Sequence, residues 1–336
     1  MISGNQTFAV VRQIRYHVRM SSTLRDSNLF DRMAVDVEAL YLRYPVPDPG
    51  TFPGIAPGKS TLSFWYRLRL VPPGLRERVW RLLVRTRIDE TWFEDFQVYW
   101  TAILGGRPLW GVEDFHFLRN TYRVRFQESG LPENPTPEQH VAAWQSPELL
   151  YFLFQQVYRR SRETKLSLVR DALARLGREP RTILEFGSGV APITRTCLEF
   201  DILPSRPEFF IADIATLAFH YAAFSFRHVS NVRPVLLDPA ADFGWRQPAQ
   251  ADVIFCLEVF EHLDRPLETV EQFHRVLAEG GILVFDYVRS EAEGFDTRQG
   301  LDQRSRVLEF IARQFHLLQG KIHLDRDTVT CIARKR

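Results

Sequence analysis

Glu185, Gly187, Ser188 and Gly189 stand together in the stretch Thr182-Ile-Leu-Glu-Phe-Gly-Ser-Gly-Val-Ala-Pro192. Ile183–Phe186 is a short apolar run with one acid in third place, as a buried strand would have. Two glycines follow at once, where a turn must bring main chain close to a ligand with no Cβ in the way. Ile193–Phe200 then reads as a helix. Strand, glycine turn and helix make the corner at which doubly wound sheets bind phosphates or nucleosides. A broken Gly-x-Gly is weak by itself, and its position at the head of a regular βαβ series gives it weight. Further on, Asp213, Asp238 and Glu258 each close an apolar run, and Glu261 and His262 follow. His262, Glu258, Glu261 and Tyr287 fall near the carboxyl ends of two later runs and are groups able to take a proton.

The elements that must position these residues are legible from Arg181 onward. Strands are expected at Ile183–Phe186, Glu208–Asp213, Arg233–Asp238, Ala251–Leu257 and Ile282–Tyr287. Helices fall between them at Pro192–Phe200, Ala215–His228, a turn through His262, and Pro266–Leu277. A helix at Asp302–Phe315 is followed by two strands near His316–Ile322 and Thr328–Arg334, close enough to pair antiparallel. Strands alternating with helices imply a parallel sheet covered on both faces.

Residues 1–177 read as a separate, mostly helical domain and 178–336 as the α/β domain. Helical spacing marks Gln6–Met20, Ser27–Tyr44, Gly74–Thr86, Asp89–Leu104 and Val112–Gln127. Pro45–Gly58, with five prolines and three glycines, is an irregular loop long enough to be a lid. Ser129–Pro137 is a second breaker. Ser146-Pro147-Glu148 opens a helix expected to run to Leu176. This half is rich in Trp, Tyr and Phe, most of which core packing explains. On the last helix, Tyr151, Phe154, Gln155 and Tyr158 share one face, and that face is expected to lie over the cofactor or substrate.

Composition excludes several classes. The net charge is +2, with 39 Arg and 4 Lys spread along the chain, so nothing marks a nucleic-acid surface. Arg159, Arg160 and Arg162 are explained by a solvated helix face. Cys197, Cys256 and Cys331 are far apart, fit no metal spacing or disulfide framework, and suit a reducing cytoplasm. No apolar run is of membrane-spanning length and no signal-peptide core is evident, so no membrane partner is expected.

From about residue 178 the chain resembles the class I methyltransferases that use S-adenosyl-L-methionine (SAM). Glu185-Phe-Gly-Ser-Gly-Val-Ala191 is similar to that family's acid-x-Gly-x-Gly-x-Gly signature. Asp252-Val-Ile-Phe-Cys-Leu-Glu-Val-Phe-Glu-His262-Leu resembles its strand-four motif, and Arg275-Val-Leu-Ala-Glu-Gly-Gly-Ile-Leu283 its strand-five lead-in. The resemblance implies a Rossmann-like seven-stranded methyltransferase fold, α/β, preceded by the mostly α-helical N-terminal domain, with SAM as cofactor. It implies that Glu185, Gly187, Ser188 and Gly189 hold the amino-acid end, that Asp213 with Ile214 holds the ribose, and that Asp238 contacts adenine. Glu258 is counted with the same cofactor set, but its position varies in the family and its role stays open. Other roles stay open: Glu185 as a cap on the glycine loop, Asp213 as a helix cap, Asp238 in an Asp-Pro turn. Ala191 stands where the family has its third glycine, and Pro192 follows it, which leaves the loop shape open.

The resemblance implies methyl transfer, an in-line displacement on an activated sulfonium, with a base needed only if the acceptor must lose a proton. His262, Glu258, Tyr151 and Tyr158 are the candidate catalytic residues, although a histidine in the place of His262 is more often a packing or hydrogen-bonding residue. With no large insertion after strand five, acceptor recognition falls to the helical half, which suits a closed apolar pocket. The expected function is a SAM-dependent methyltransferase acting on a small-molecule acceptor such as a secondary metabolite; self-association stays open. The alternative on the same fold is attack on the aminobutyrate carbon, as in enzymes resembling nicotianamine synthase or those forming azetidine-2-carboxylate, with release of methylthioadenosine.

Overall fold

The computed structural model describes residues 75, 78, 91–104, 109, 115, 116, 118–120, 122, 123, 136–144, 149–237, 248–289 and 295–336. The helices expected at Gln6–Met20 and Ser27–Tyr44, the Pro45–Gly58 loop, and nearly all of Gly74–Thr86 and of the Ser129–Pro137 breaker therefore lie outside the described residues, as does Asp238.

Seven strands form one sheet in the order β3-β2-β1-β4-β5-β7-β6. They are β1 (Thr182–Phe186), β2 (Glu208–Asp213), β3 (Val232–Leu236), β4 (Ala251–Cys256), β5 (Leu277–Tyr287), β6 (Phe315–Gln319) and β7 (Thr328–Lys335). The first five are parallel, and β7 runs antiparallel between β5 and β6. The central strands are apolar on both faces because both are covered: one core holds Leu184, Ile254, Leu283 and Phe285, the other Ile183, Val253, Ile282 and Val284. β5 begins five residues before the expected Ile282. A register shift between Ala251 and Val253 accommodates the longer stretch of β5 from Leu277 to Ile282, in which Gly280 is left-handed at φ 69°.

Asp252 fixes the start of the sheet. Its carboxylate accepts from the Arg181 and Thr182 amides at 2.6 and 3.0 Å and pairs with Arg178 at 2.5 Å, tying the head of β4 to the head of β1. The bonds from Arg178 and the two amides hold its carboxyl below the usual carboxylate range, against the pull of burial.

All described elements before residue 166 are helical: α1 (Thr91–Ala102), α2 (Pro137–Trp144) and α3 (Leu150–Arg162). The single helix expected from Ser146 to Leu176 is two, α3 and α4 (Leu166–Leu176). Glu163 is extended at φ −124°, and the Lys165 amide donates to Thr196 Oγ1 at 3.3 Å. Thr164 Oγ1 accepts from the Leu166 amide, so a Thr beside a Lys restarts the helix without any Pro or Gly. α4 packs with the sheet: Val169, Ala172 and Leu176 share a core with Ile183 and Val253.

The remaining helices are α5 (Pro192–Phe200), α6 (Leu217–Phe226), α7 (Pro266–Val276), α8 (Arg298–Asp302) and α9 (Arg304–Gln314), with a 3-10 turn at Phe260–His262. The sequence Leu-Ala-Phe-His-Tyr-Ala-Ala-Phe-Ser-Phe of α6 is apolar almost all round, and nearly every residue is buried. One side covers the sheet and the other meets α1 and α3. That second contact absorbs much of the aromatic excess. Phe96 lies 4.9 to 5.9 Å, centroid to centroid, from Phe115, Phe154 and Tyr221. Tyr99 Oη bonds His220 Nδ1 at 2.8 Å, a polar tie between α1 and α6 inside that cluster.

Candidate functional site

The glycine corner forms where β1 hands over to α5. Gly187 and Gly189 both have positive φ, at 63° and 49°, and so does Ala191, at 51°. Three left-handed residues in five coil the chain into a turn whose main chain faces the cleft. Ala191 thus holds a conformation that a glycine would take at less cost, and the Ala191 amide closes the turn on Ser188 O at 2.7 Å. A side chain at either glycine would meet a neighbour. A Cβ on Gly187 would run into the Val259 isopropyl group, with Cγ1 at 2.9 Å, and one on Gly189 would lie 2.6 Å from Gln156 Oε1.

Glu185 lies beneath this turn and is spent on α5. Its two oxygens accept from the Ile193 amide, the Thr194 amide and Thr194 Oγ1 at 2.9, 2.9 and 2.7 Å. It neutralises the helix start, where Pro192 supplies no N–H. Burial nevertheless raises its pKa to about 7, the three hydrogen bonds opposing that rise. Ser188 Oγ is buried and has no hydrogen-bond partner among the described residues. A buried hydroxyl in a glycine turn at a cleft fits a polar ligand group that would complete it.

Asp213 ends β2 at the opposite side of the turn. Oδ2 accepts from the Gly189 amide at 2.7 Å and Oδ1 from the Ile214 amide at 2.8 Å. A carboxylate has about four acceptor directions, so each oxygen can take one further donor, as a vicinal diol would supply. Desolvation raises the Asp213 pKa to about 6, with those two amides pulling it back. The helix-cap role belongs instead to Thr216, whose Oγ1 accepts from the Phe219 amide at 3.1 Å and opens α6. α6 consequently starts two residues after the expected Ala215.

One cleft runs over these groups in two lobes that share Gln156, Phe186, Gly187, Gly189 and Glu258. The smaller lobe lies over the glycine turn, between Ser188 and Ile193 on one side and Arg159, Glu163 and Lys165 on the other. The larger passes Asp213, Ile214 and Leu237 to an apolar end at Val141, Trp144, Phe152 and His262. Counting its open mouth it spans about 970 Å³, against about 850 Å³ for the smaller lobe.

Glu258 stands between the lobes in a left-handed conformation, φ 56°. Its amide donates to Asp286 Oδ1 at 2.6 Å, and its carboxylate faces Arg159 of α3 at 3.7 Å, both side chains about half exposed. Asp286 is buried at the end of β5, and desolvation raises its pKa to about 7. His262 lines the larger lobe from the 3-10 turn. Its Nδ1 lies 2.9 Å from Phe295 O and 3.6 Å from Asp296 Oδ1, and Trp144 packs on its ring edge-on at 5.5 Å.

The structure therefore brings Gly187, Gly189, Asp213, Ile214, Glu258 and His262 to the larger lobe, and Glu185 and Ser188 to the smaller. Tyr151 and Tyr158 line neither lobe. They pack beside Phe154 in the helical core, with Arg119 over the Tyr158 ring at 4.4 Å. The expected catalytic face of α3 is thus corrected: its aromatic side is drawn into the apolar cluster, and the neighbouring stripe of Phe152, Gln156, Arg159 and Glu163 meets the cleft. That stripe was readable as the i, i+4, i+7, i+11 face of the helix. Tyr287 and Glu261 also line neither lobe. Tyr287 donates to Gly300 O and stacks on Phe260, and burial drives its hydroxyl pKa up. Glu261 is wholly buried, neither carboxyl oxygen has a hydrogen-bond partner among the described residues, and burial raises its pKa to about 9, so it stays protonated.

Among the described residues no cluster of His, Cys, Asp or Glu can hold a metal ion, and no helix is long and apolar enough to cross a membrane. Residues 158–319 match the family model described as a methyltransferase domain. No curated protein matches the chain. Among solved structures, the N-methyltransferase NodS from Bradyrhizobium japonicum WM9 in complex with S-adenosyl-L-homocysteine is similar at 17% identity, over 52% of this chain and 87% of that one, with a TM-score of 0.38. An O-methyltransferase family protein from Burkholderia thailandensis gives 14%, 66%, 70% and 0.42, and the CurJ carbon methyltransferase 15%, 67%, 70% and 0.41. Likeness at this level says nothing of acceptor or chemistry.

Proposed function

We propose that this chain, whose C-terminal part is a class I SAM-dependent methyltransferase domain, transfers the methyl group of SAM to a small molecule held between the strand ends and helices α2 and α3. One observation carries the reading. The glycine turn and the Asp213 carboxylate open into the same cleft as the apolar wall of Trp144 and Phe152, so donor and acceptor subsites are continuous.

SAM supplies an already activated methyl group. What is asked of the protein is alignment and exclusion of water. The left-handed Gly187 and Gly189 bring main chain to the amino-acid end, beside the buried Ser188 hydroxyl. Arg159 and Lys165, on the far wall of the smaller lobe, offer positive charge for a carboxylate. Asp213 takes the sugar hydroxyls, and Ile214 and Leu237 give the base an apolar bed. α2 and α3 line the rest, which supports acceptor choice by the helical region. A formal charge of +2 supports a small acceptor over a nucleic acid, and three buried free thiols support a reducing compartment such as the cytoplasm.

The test is calorimetry with SAM on the full chain and on Asp213→Ala, followed by mass spectrometry of the nucleoside product. Binding that Asp213→Ala weakens at least tenfold, and S-adenosylhomocysteine as product, are expected. Absence of binding, or methylthioadenosine formed from SAM alone, would overturn methyl transfer.

A further inference from the structure

We propose that Glu258 faces the sulfonium of SAM and that its charge biases this site toward SAM and away from the demethylated product, S-adenosylhomocysteine. The inference rests on the donor placement above and adds to it a residue that distinguishes a charged sulfur from a neutral one.

The place of the sulfur follows from the two lobes. It joins the amino-acid chain, assigned to the glycine turn in the smaller lobe, to the ribose, assigned to Asp213 in the larger. It must therefore lie where the lobes meet. Among the described residues, the side chains that line both lobes are Gln156, Phe186 and Glu258. Phe186 is almost wholly buried, and Gln156 is neutral, its carboxamide without a hydrogen-bond partner among the described residues. Glu258 is the one charge at the junction. Its setting sharpens the effect. The chain has 43 Lys and Arg residues, yet none of the described ones lines the larger lobe. Those of the smaller lobe, Arg159 and Lys165, stand on the wall assigned to the donor's carboxylate.

Two features of Glu258 point the same way. Its φ of 56° is a region that side-chain-bearing residues enter at a cost, and a glycine would take it freely. The conformation is fixed by its amide, which donates at 2.6 Å to the buried Asp286 at the end of β5. Strain kept at a cleft wall, on a residue whose side chain enters the cleft, marks a ligand contact. The carboxylate is also free to change partners. Arg159 stands 3.7 Å away, longer than a hydrogen bond, with both side chains about half exposed. A pair of that kind is worth little and yields to another cation. When the methyl group leaves, the carbon–sulfur bonding pair stays on sulfur and the sulfonium charge is gone. Glu258 then has only Arg159 to turn to, and its hold on the spent nucleoside lapses.

Calorimetry on the full chain tests this with three nucleosides: SAM, S-adenosylhomocysteine, and sinefungin, in which an aminated carbon replaces the methylated sulfur and keeps a positive charge there. In Glu258→Gln the ratio of SAM to S-adenosylhomocysteine affinity should fall about tenfold, as expected for one charge pair in partly solvated surroundings. The fall should come from weaker SAM binding, and sinefungin should weaken with SAM. Glu258→Gly suits the left-handed backbone and should show the same fall, which separates the loss of charge from a disturbed turn. Gln156→Glu puts a second carboxylate at the junction and should raise the ratio. Asp213→Asn is the control: the ribose is common to all three nucleosides, so their affinities should drop by similar factors. The α-ammonium is likewise common to all three, so equal losses in the Glu258 variants would place Glu258 on that group instead. Equal losses, or an unchanged ratio, would overturn the proposal while SAM binding stands. A wild-type chain that bound none of the three would overturn both.

Discussion

Gly187 and Gly189 sit two residues apart with the same handedness, yet replacing them by alanine should have unequal costs. Both would pay for a left-handed alanine, about 1–2 kcal/mol, partly offset by about 0.4–1 kcal/mol from a stiffer unfolded chain. They differ in what the new methyl meets. At Gly187 it overlaps the side chain of Val259, with Cγ1 at 2.9 Å and Cβ at 3.2 Å, and Val259 is buried and β-branched. A stiff neighbour cannot rotate away, so overpacking adds about 1–3 kcal/mol. At Gly189 it meets only Gln156, Oε1 at 2.6 Å and the next atoms at 3.4 and 3.5 Å, and a long amide can swing clear. Urea unfolding should therefore show Gly187→Ala less stable than Gly189→Ala by roughly 1–3 kcal/mol. Val259→Ala in the Gly187→Ala background should recover about 1 kcal/mol or more relative to its effect alone. Equal costs at the two glycines, or no coupling to Val259, would refute this account of the turn. Gly189→Ala should instead show itself in SAM affinity, because it displaces Gln156 from the cleft wall.

Asp213→Asn should weaken SAM binding by about 2 kcal/mol, since a charge-assisted acceptor is lost. In the wild type, calorimetry should show the same weakening as pH falls through about 6, where the raised carboxyl takes its proton. Burial lifts the Glu185 pKa to about 7 from the ordinary 4.5, so the native state holds its proton more tightly than the unfolded chain. The sign follows: stability from this group is fullest below about 4.5 and falls as pH rises to about 7, by roughly 3 kcal/mol. Urea midpoints for Glu185→Gln should lack that decline; a variant that tracked the wild type would show that burial does not raise the Glu185 pKa. Tyr99→Phe removes the bond to His220 Nδ1 and should cost about 1–2 kcal/mol, read as a lower melting temperature.

The five parallel strands were legible because each is an apolar run closed by an acid or a turn, a pattern that survives whatever surrounds it. Asp213 and the glycine pair were legible for the same reason, being fixed by their place at strand ends. What the glycines lie against was not, because Val259 and Gln156 come from elements 72 and 33 residues away, respectively, and only the folded chain brings them there. The break between α3 and α4 was hidden because Glu163, Thr164 and Lys165 are unremarkable in a helix, and the interruption comes from Thr196 capturing the Lys165 amide. The aromatic face of α3 misled for a physical reason: Tyr151, Phe154 and Tyr158 gain more from the cluster with Phe96 and Phe115 than from a wet cleft. Trp144 and Phe152 were visible as aromatics, but not that both would pack on Phe295, 143 residues beyond Phe152.

β7 lies inside the sheet although it follows β6 in the chain. During synthesis, β1 to β5 can assemble as soon as they emerge, but β6 has no neighbour to join until residues 328–335 have cleared the ribosome. Until then the outer edge of β5 stays open along its main chain, and the nascent chain carries an unsatisfied strand that any other extended peptide could occupy. Ribosome-bound chains stalled ahead of residue 328 should therefore depend on holdase chaperones in a way that chains released past residue 335 do not.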